Sequence, residues 1–203
     1  MQVVFFREGD YVLGMDAPVR LSMTRDQFLE WEAAQPVRHE FDGVNPVAMA
    51  GGTVNHARIQ KNLAISVGSR LRGKRCEFFG SNLKIEVAGR IRYPDGFVSC
   101  SPAAANERVV TDPVVIFEVL SPSTETTDVV AKNHEYAQTL SVKRYLMLSQ
   151  YAVGGMMFER IGDDWAGRIL TADTVLKMPE IDIDVPLAEL YDGVVFEAPE
   201  VVG

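Results

Sequence analysis

Cysteine is scarce in this chain of 203 residues: Cys76 and Cys100 are the only two, and neither belongs to a CxxC or Cys/His pattern. That argues against a zinc site and a disulfide framework, and predicts two buried free thiols. Long apolar runs are lacking too. No stretch approaches the roughly 20 residues that cross a bilayer, and the segment Met1 to Asp10 has no basic region ahead of a long apolar one. No membrane association and a reducing cytoplasm are therefore expected. Internal repeats and low-complexity linkers are missing as well. With 47% hydrophobic residues the chain can bury one sizeable core, so a single domain is expected over residues 23–193, after an irregular extension (1–22) and before a tail (194–203).

Positive charge is also in short supply, 20 basic residues against 28 acidic, a net of −8. Nonspecific binding to nucleic acid is thereby disfavoured, because phosphate contacts normally supply much of that affinity. Arg70, Arg72, Lys74 and Arg75 form the only dense basic cluster. It is either a local basic face or a basic helix end that complements the helix dipole.

What the chain does hold is a carboxylate in an apolar setting. Glu118 lies within Val114-Val115-Ile116-Phe117-Glu118-Val119-Leu120, a run with the composition of a buried strand, 23 residues after Asp95 of Tyr93-Pro94-Asp95. Burying an ionised carboxylate alone is prohibitively unfavourable, so a cation, a metal or a raised pKa must accompany it. A metal held between Asp95 and Glu118 is the reading that uses both residues.

The order of elements is that of a mixed α/β (α+β) domain. Thr24 caps a short helix that Pro36 stops, and His39 to Val44 is a strand entering an Asp-Gly turn, with Met49 to Gly52 closing a hairpin. Asn55 caps a longer helix from His56 to about Arg72, with Ile59, Leu63, Val67 and Leu71 at helical spacing. Strands follow at Glu77 to Val87, Ile91 to Cys100 and Val114 to Leu120, the first two joined through Ala88-Gly89-Arg90. Ser121-Pro122-Ser123-Thr124 opens a helix to about Leu140, Arg144 to Leu148 is a strand, and short strands and a final helical turn at Leu187 to Leu190 complete the chain.

His39-Glu40-Phe41-Asp42-Gly43, His56 with Asn62-Leu63, Tyr93-Pro94-Asp95, Phe117-Glu118-Val119-Leu120-Ser121-Pro122-Ser123-Thr124, Asp128 with Lys132 and Tyr136, and Val142 to Leu146 together carry a resemblance. From about Thr24 to Gly193 the chain resembles the Uma-two family of restriction-endonuclease-like proteins, a branch of the PD-(D/E)XK nuclease superfamily expanded in cyanobacteria. The resemblance implies a restriction-endonuclease-like core of helix, three strands, helix and strand. It also implies a Mg²⁺-dependent endonuclease, with Mn²⁺ as a substitute, that hydrolyses DNA phosphodiesters by a metal-activated water. Asp95 and Glu118 would bind the metal, with the main-chain carbonyl of Val119 as a further ligand. Homodimerisation is implied by analogy with enzymes that cut both strands, and the strand near Gly155 to Phe158 is the expected interface.

The superfamily lysine expected two residues after Glu118 is replaced by Leu120. Lys132, one helical turn from both Asp128 and Tyr136, is the candidate migrated lysine, against the alternative of a surface ion pair with Asp128. Lys84 competes, because the Ala88-Gly89 hairpin would bring it beside Asp95. Glu40 is either a metal ligand, a base for the water or a partner of Arg38. His56 would contact phosphate, orient a carboxylate, or cap the helix. Asn82, where relatives carry Asp, and Gly96, which loosens a strand, suggest weakened metal binding. His39 and His134 have no argued role, while Trp31 and Trp165 read as packing residues. Two alternatives to the nuclease stay open: a noncatalytic DNA-associated or protein-interaction member of the fold, and a hydrolase of small phosphoesters.

Overall fold

The computed structural model describes residues 22–49, 51–120 and 126–196, with the side chains of 126–128 left out. The expected extension before residue 22, the Ser121 to Thr124 run and the Asp128 side chain lie outside that set. Helix α1 (Arg25–Glu32) begins as expected: the Thr24 hydroxyl accepts the Gln27 N–H at 3.3 Å and the Gln27 side chain accepts the Thr24 N–H at 2.8 Å. Strands β1 (His39–Phe41) and β2 (Pro46–Ala48) form the hairpin, its turn held by the Asp42 carboxylate accepting N–H groups of Val44 and Asn45.

Helix α2 (Val54–Leu71) starts two residues before the expected His56. Thr53 is the N-cap, its hydroxyl accepting the His56 N–H at 3.1 Å, and Asn55 instead reaches the Val195 carbonyl at 2.7 Å. The two long strands expected over 77–87 and 91–100 are four: β3 (Glu77–Gly80), β4 (Lys84–Val87), β5 (Arg90–Arg92) and β6 (Gly96–Ser99). The β4–β5 hairpin about Ala88 and Gly89 forms, both residues adopting positive φ. Beyond it the chain breaks at Ser81-Asn82 and at Pro94, which has no N–H for a ladder, so each expected strand is divided between two sheets.

Then come β7 (Val109–Val110), β8 (Pro113–Leu120), α3 (Thr126–Gln138), β9 (Arg144–Ser149), β10 (Gly155–Ile161), β11 (Asp164–Leu170), β12 (Val175–Met178) and β13 (Ile183–Pro186), with short 3-10 turns at Pro179–Ile181 and Leu187–Tyr191. The central sheet has the order β11-β10-β9-β8-β6-β3, and α3 makes the crossover between the parallel pair β8 and β9. A second sheet, β2-β1-β5-β4-β7, lies beside it. Ile59, Leu63, Val67 and Leu71 of α2 cluster with Val115, Phe117 and Val119 of β8. Ile116, the intervening residue, clusters instead with Tyr136 of α3 and Ile85 of β4. Strand alternation therefore turns Glu118 toward α3 and the second sheet, away from α2.

One expectation is corrected. Cys76 and Cys100 flank the paired residues Glu77 and Ser99, so the ladder brings them together and they form a disulfide. Strand β10, the expected interface, lies between β9 and β11, with Met157 fully buried and Met156 exposed. The basic cluster is largely engaged: Arg70 binds both Glu189 oxygens at 2.8 Å, Lys74 binds Asp182 at 2.9 Å and Arg75 donates to the Cys100 carbonyl.

Candidate active site

Asp95 stands at the entry to β6, where three donors hold its carboxylate. The Val119 N–H donates to Oδ2 at 2.6 Å, Gln60 Nε2 donates to Oδ1 at 2.6 Å, and His56 Nε2 lies 3.3 Å from Oδ2. His56 and Gln60 are one turn apart on α2, so a single helix face presents both. The start of that helix is tied to the end of β8 through Gln150, which donates to the Leu120 carbonyl at 2.8 Å and accepts the Thr53 hydroxyl. Gly52 packs against the imidazole: a Cβ there would come within 2.8 Å of His56 Nδ1. The His56 pKa is raised above its ordinary value, first by the hydrogen bond to Asp95, against the opposing effect of burial, and further by the charges of Asp95 and Glu118 and the Val119 main chain.

Glu118 faces α3, as alternation requires. Its Oε1 lies 3.4 Å from Lys132 Nζ and 3.3 Å from the Tyr136 hydroxyl, groups that follow one another at i, i+4. Lys132 is buried and also lies 3.3 Å from Glu40 Oε2, so it is an internal residue; Asp128, its alternative partner, has its side chain outside the described residues. Burial, then the negative charge of Glu118, raises the Tyr136 hydroxyl well above its ordinary pKa and keeps it neutral. Leu120 packs its side chain into the apolar cluster beneath α3.

Glu40 reaches the same cluster from β1. It accepts the Tyr93 N–H at 3.0 Å and Arg92 Nη1 at 3.2 Å, while Arg38, the alternative partner, instead binds the Ser81 carbonyl and Asn82. Arg92 forms a fork on Glu135 at 2.8 and 2.7 Å, and Arg90 shares Glu135 at 3.0 Å. Burial opposes charge on Arg92, but Glu135 and Glu40 outweigh it and raise its pKa. Sequence reasoning passed over Gln60, Arg92, Glu135 and Gln150. Two of them had a local signal, Gln60 one turn after His56 and Arg92 beside the Tyr-Pro-Asp run, whereas Glu135 and Gln150 acquire partners only through long-range contacts.

The site does not include Lys84. Its ammonium is buried against Glu32 of α1 at 2.6 Å, and the Tyr93 hydroxyl donates to the other Glu32 oxygen at 2.9 Å. Hairpin pairing brought β4 beside β5, but the break at Pro94 separates β5 from β6. Asn82 is exposed and held by Arg38 at 2.6 Å. Gly96 serves close packing: a Cβ there would meet the Phe78 ring at 2.6 Å. His39 packs edge-on against Trp31, His134 pairs with Gln138, and Trp165 donates to Asn133 within a stack on Phe158. Asn62, part of the motif set, holds the carbonyls of Leu190 and Asp192.

Among the described residues no three His, Cys, Asp or Glu side chains form a cation cage. The Val119 N–H nevertheless donates to Asp95 Oδ2 at 2.6 Å, and Val119 follows Glu118 directly on β8, so the strand that carries Glu118 also anchors Asp95. Two carboxylates and a main-chain carbonyl are hard oxygen donors of the kind that suit Mg²⁺, an ion that keeps several waters. The residues present fit such an ion.

The chain matches the Uma2 family, described as "Putative restriction endonuclease", over residues 25–183. It is 31% identical to the Synechocystis protein slr1290 over 86% of this chain and 94% of that one. A second Synechocystis protein, sll1609, is 25% identical over 70% of this chain and 82% of its own length. The fold is shared with a crystal structure from Anabaena variabilis described as a putative nuclease belonging to DUF820, at a TM-score of 0.68 and 16% identity, covering 85% of this chain and 99% of that one.

Proposed function

From the chain's membership of the Uma2 family, we propose that it is a Mg²⁺-dependent endonuclease that hydrolyses DNA phosphodiesters, with Asp95, Glu118 and the Val119 carbonyl as the metal ligands. The observation that supports this reading best is the placement of Lys132 against Glu118, 3.4 Å apart, on the face that also receives Glu40. A bound Mg²⁺ or Mn²⁺ would supply Lewis acidity toward the phosphate and lower the pKa of an attacking water.

The chain's own residues divide the remaining work. Lys132 presents a cation to the negative charge that grows on the phosphate, replacing the lysine absent at Leu120. Tyr136, neutral at Glu118, holds that carboxylate in one rotamer. His56 and Gln60 orient Asp95 from α2, and a protonated His56 offers a further cation to a phosphate oxygen.

Calorimetric titration of Mg²⁺ and Mn²⁺ into wild type and Asp95→Asn, followed by incubation with supercoiled plasmid at low salt, tests the reading. Metal binding and nicking that both vanish in the variant support it; absence of either in wild type overturns it. A hydrolase of small phosphoesters is the second reading, favoured by the net charge of −8 and by the acidic partners already holding Arg70 and Lys74. Turnover of bis-p-nitrophenyl phosphate without plasmid nicking would select it.

A further inference from the structure

We propose that Glu40 is a tether for Lys132 and neither a metal ligand nor the base for the water, and that Arg92 and the Tyr93 N–H fix Glu40 for that purpose. The inference rests on the nuclease reading of Asp95, Glu118 and Lys132, and it assigns positioning roles to two charged residues beside them.

The commitments of the Glu40 carboxylate carry the argument. Oε1 accepts the Tyr93 N–H at 3.0 Å and lies 3.4 Å from Lys132 Nζ; Oε2 lies 3.2 Å from Arg92 Nη1 and 3.3 Å from Lys132 Nζ. A carboxylate has about four lone-pair positions, and three donor groups address them, the Lys132 ammonium lying against both oxygens. Glu40 is only 7% exposed and Arg92 3%, so solvent does not compete for either group. A base needs a lone pair facing water, and a metal ligand needs one facing the ion.

Charge gives such a tether its use. A divalent cation held by Asp95 and Glu118 would repel the Lys132 ammonium and draw on the Glu118 charge beside it. A second anion behind the lysine keeps it in place. Glu40 is that anion, and Arg92 prevents it from swinging toward the cation, being itself clamped by Glu135, which Arg90 shares. The signs alternate from Arg90 through Glu135, Arg92, Glu40 and Lys132 to Glu118, so each buried charge sits between opposite charges.

The test compares Glu40→Gln, Lys132→Met and the double variant in full-length protein by Mn²⁺ titration, by kcat and KM for plasmid nicking, and by the acetylation rate of Lys132 with acetic anhydride, read by mass spectrometry with Lys84 as internal reference. Glu40→Gln is expected to leave Mn²⁺ affinity and KM unchanged, to lower kcat about tenfold, the scale seen when a partner behind a functional group is removed, and to accelerate Lys132 acetylation. It should subtract nothing further from Lys132→Met. A comparable fall in Mn²⁺ affinity, or losses that multiply in the double variant, would overturn the tether. If wild type neither binds Mn²⁺ nor nicks plasmid, the nuclease reading fails separately, and acetylation decides the tether: faster labelling in Glu40→Gln supports it and unchanged labelling overturns it. Should Glu40→Gln not fold, Arg92→Lys keeps the charge but loses the fork, and the same comparisons and outcomes apply to it.

Discussion

The Val119 N–H donates to the Asp95 carboxylate at 2.6 Å, across the strand pair that sets Gly96 opposite Phe117. This bond from main chain to side chain couples the Asp95 carboxylate to the strand that carries Glu118.

Asp95→Asn retains an acceptor for that bond and removes the charge, so it is expected to abolish metal binding with little change in stability. Asp95→Ala leaves the Val119 N–H and Gln60 without their acceptor and is expected to cost about 1–3 kcal/mol besides. Urea unfolding of the two variants, set beside metal titrations, separates the effects.

Gly52→Ala is expected to disturb His56, because the added Cβ would lie 2.8 Å from Nδ1, while Gly51→Ala meets nothing within 4 Å. Metal affinity and nicking should fall in the first variant and hold in the second, with thermal midpoints close to wild type in both. Equal behaviour of the pair would show that the His56 ring has other room to move.

The Glu32 carboxyl titrates below its ordinary value of 4.5: burial alone would raise it, but hydrogen bonds from Lys84 and Tyr93 and the Lys84 charge outweigh burial. A carboxylate with a depressed folded pKa contributes stability above its unfolded pKa and loses it as pH falls through the folded one. Glu32→Gln should therefore be less stable than wild type at neutral pH, and the difference should shrink as pH falls below 4.5. Paired urea titrations at neutral and acidic pH measure it.

Reduction of the Cys76–Cys100 bond, which spans 24 residues of sequence, is expected to cost about 3 kcal/mol through the freedom returned to the unfolded chain. Denaturation with and without a reducing agent, and of a Cys76→Ser, Cys100→Ser double variant, checks the value. Nicking should persist, since the bond joins the ends of β3 and β6 farthest from Asp95.

Several site residues were legible because their signals are local. An apolar run around Glu118 declares a carboxylate drawn into the sheet, where it is partly buried, the i, i+4 relation of Lys132 and Tyr136 puts them on one face, and the Ala88-Gly89 turn declares its hairpin. Lys84 was misjudged because a hairpin rule says nothing of where the next strand goes, and Pro94 sends it into another sheet. The free-thiol reading failed for a similar reason: Cys76 and Cys100 meet only because Glu77 pairs with Ser99.

The sequence by itself determined the helices, most of the strands and the family to which the chain belongs, since periodicity, caps and motif spacing are properties of neighbouring residues. Tertiary structure alone decided which lysine stands at Glu118, which anion stands behind that lysine, and that Arg92 holds Glu40. Those pairings join residues 14, 92 and 52 positions apart, and the energy that selects them, satisfaction of buried charge, exists only once the sheets have closed around it.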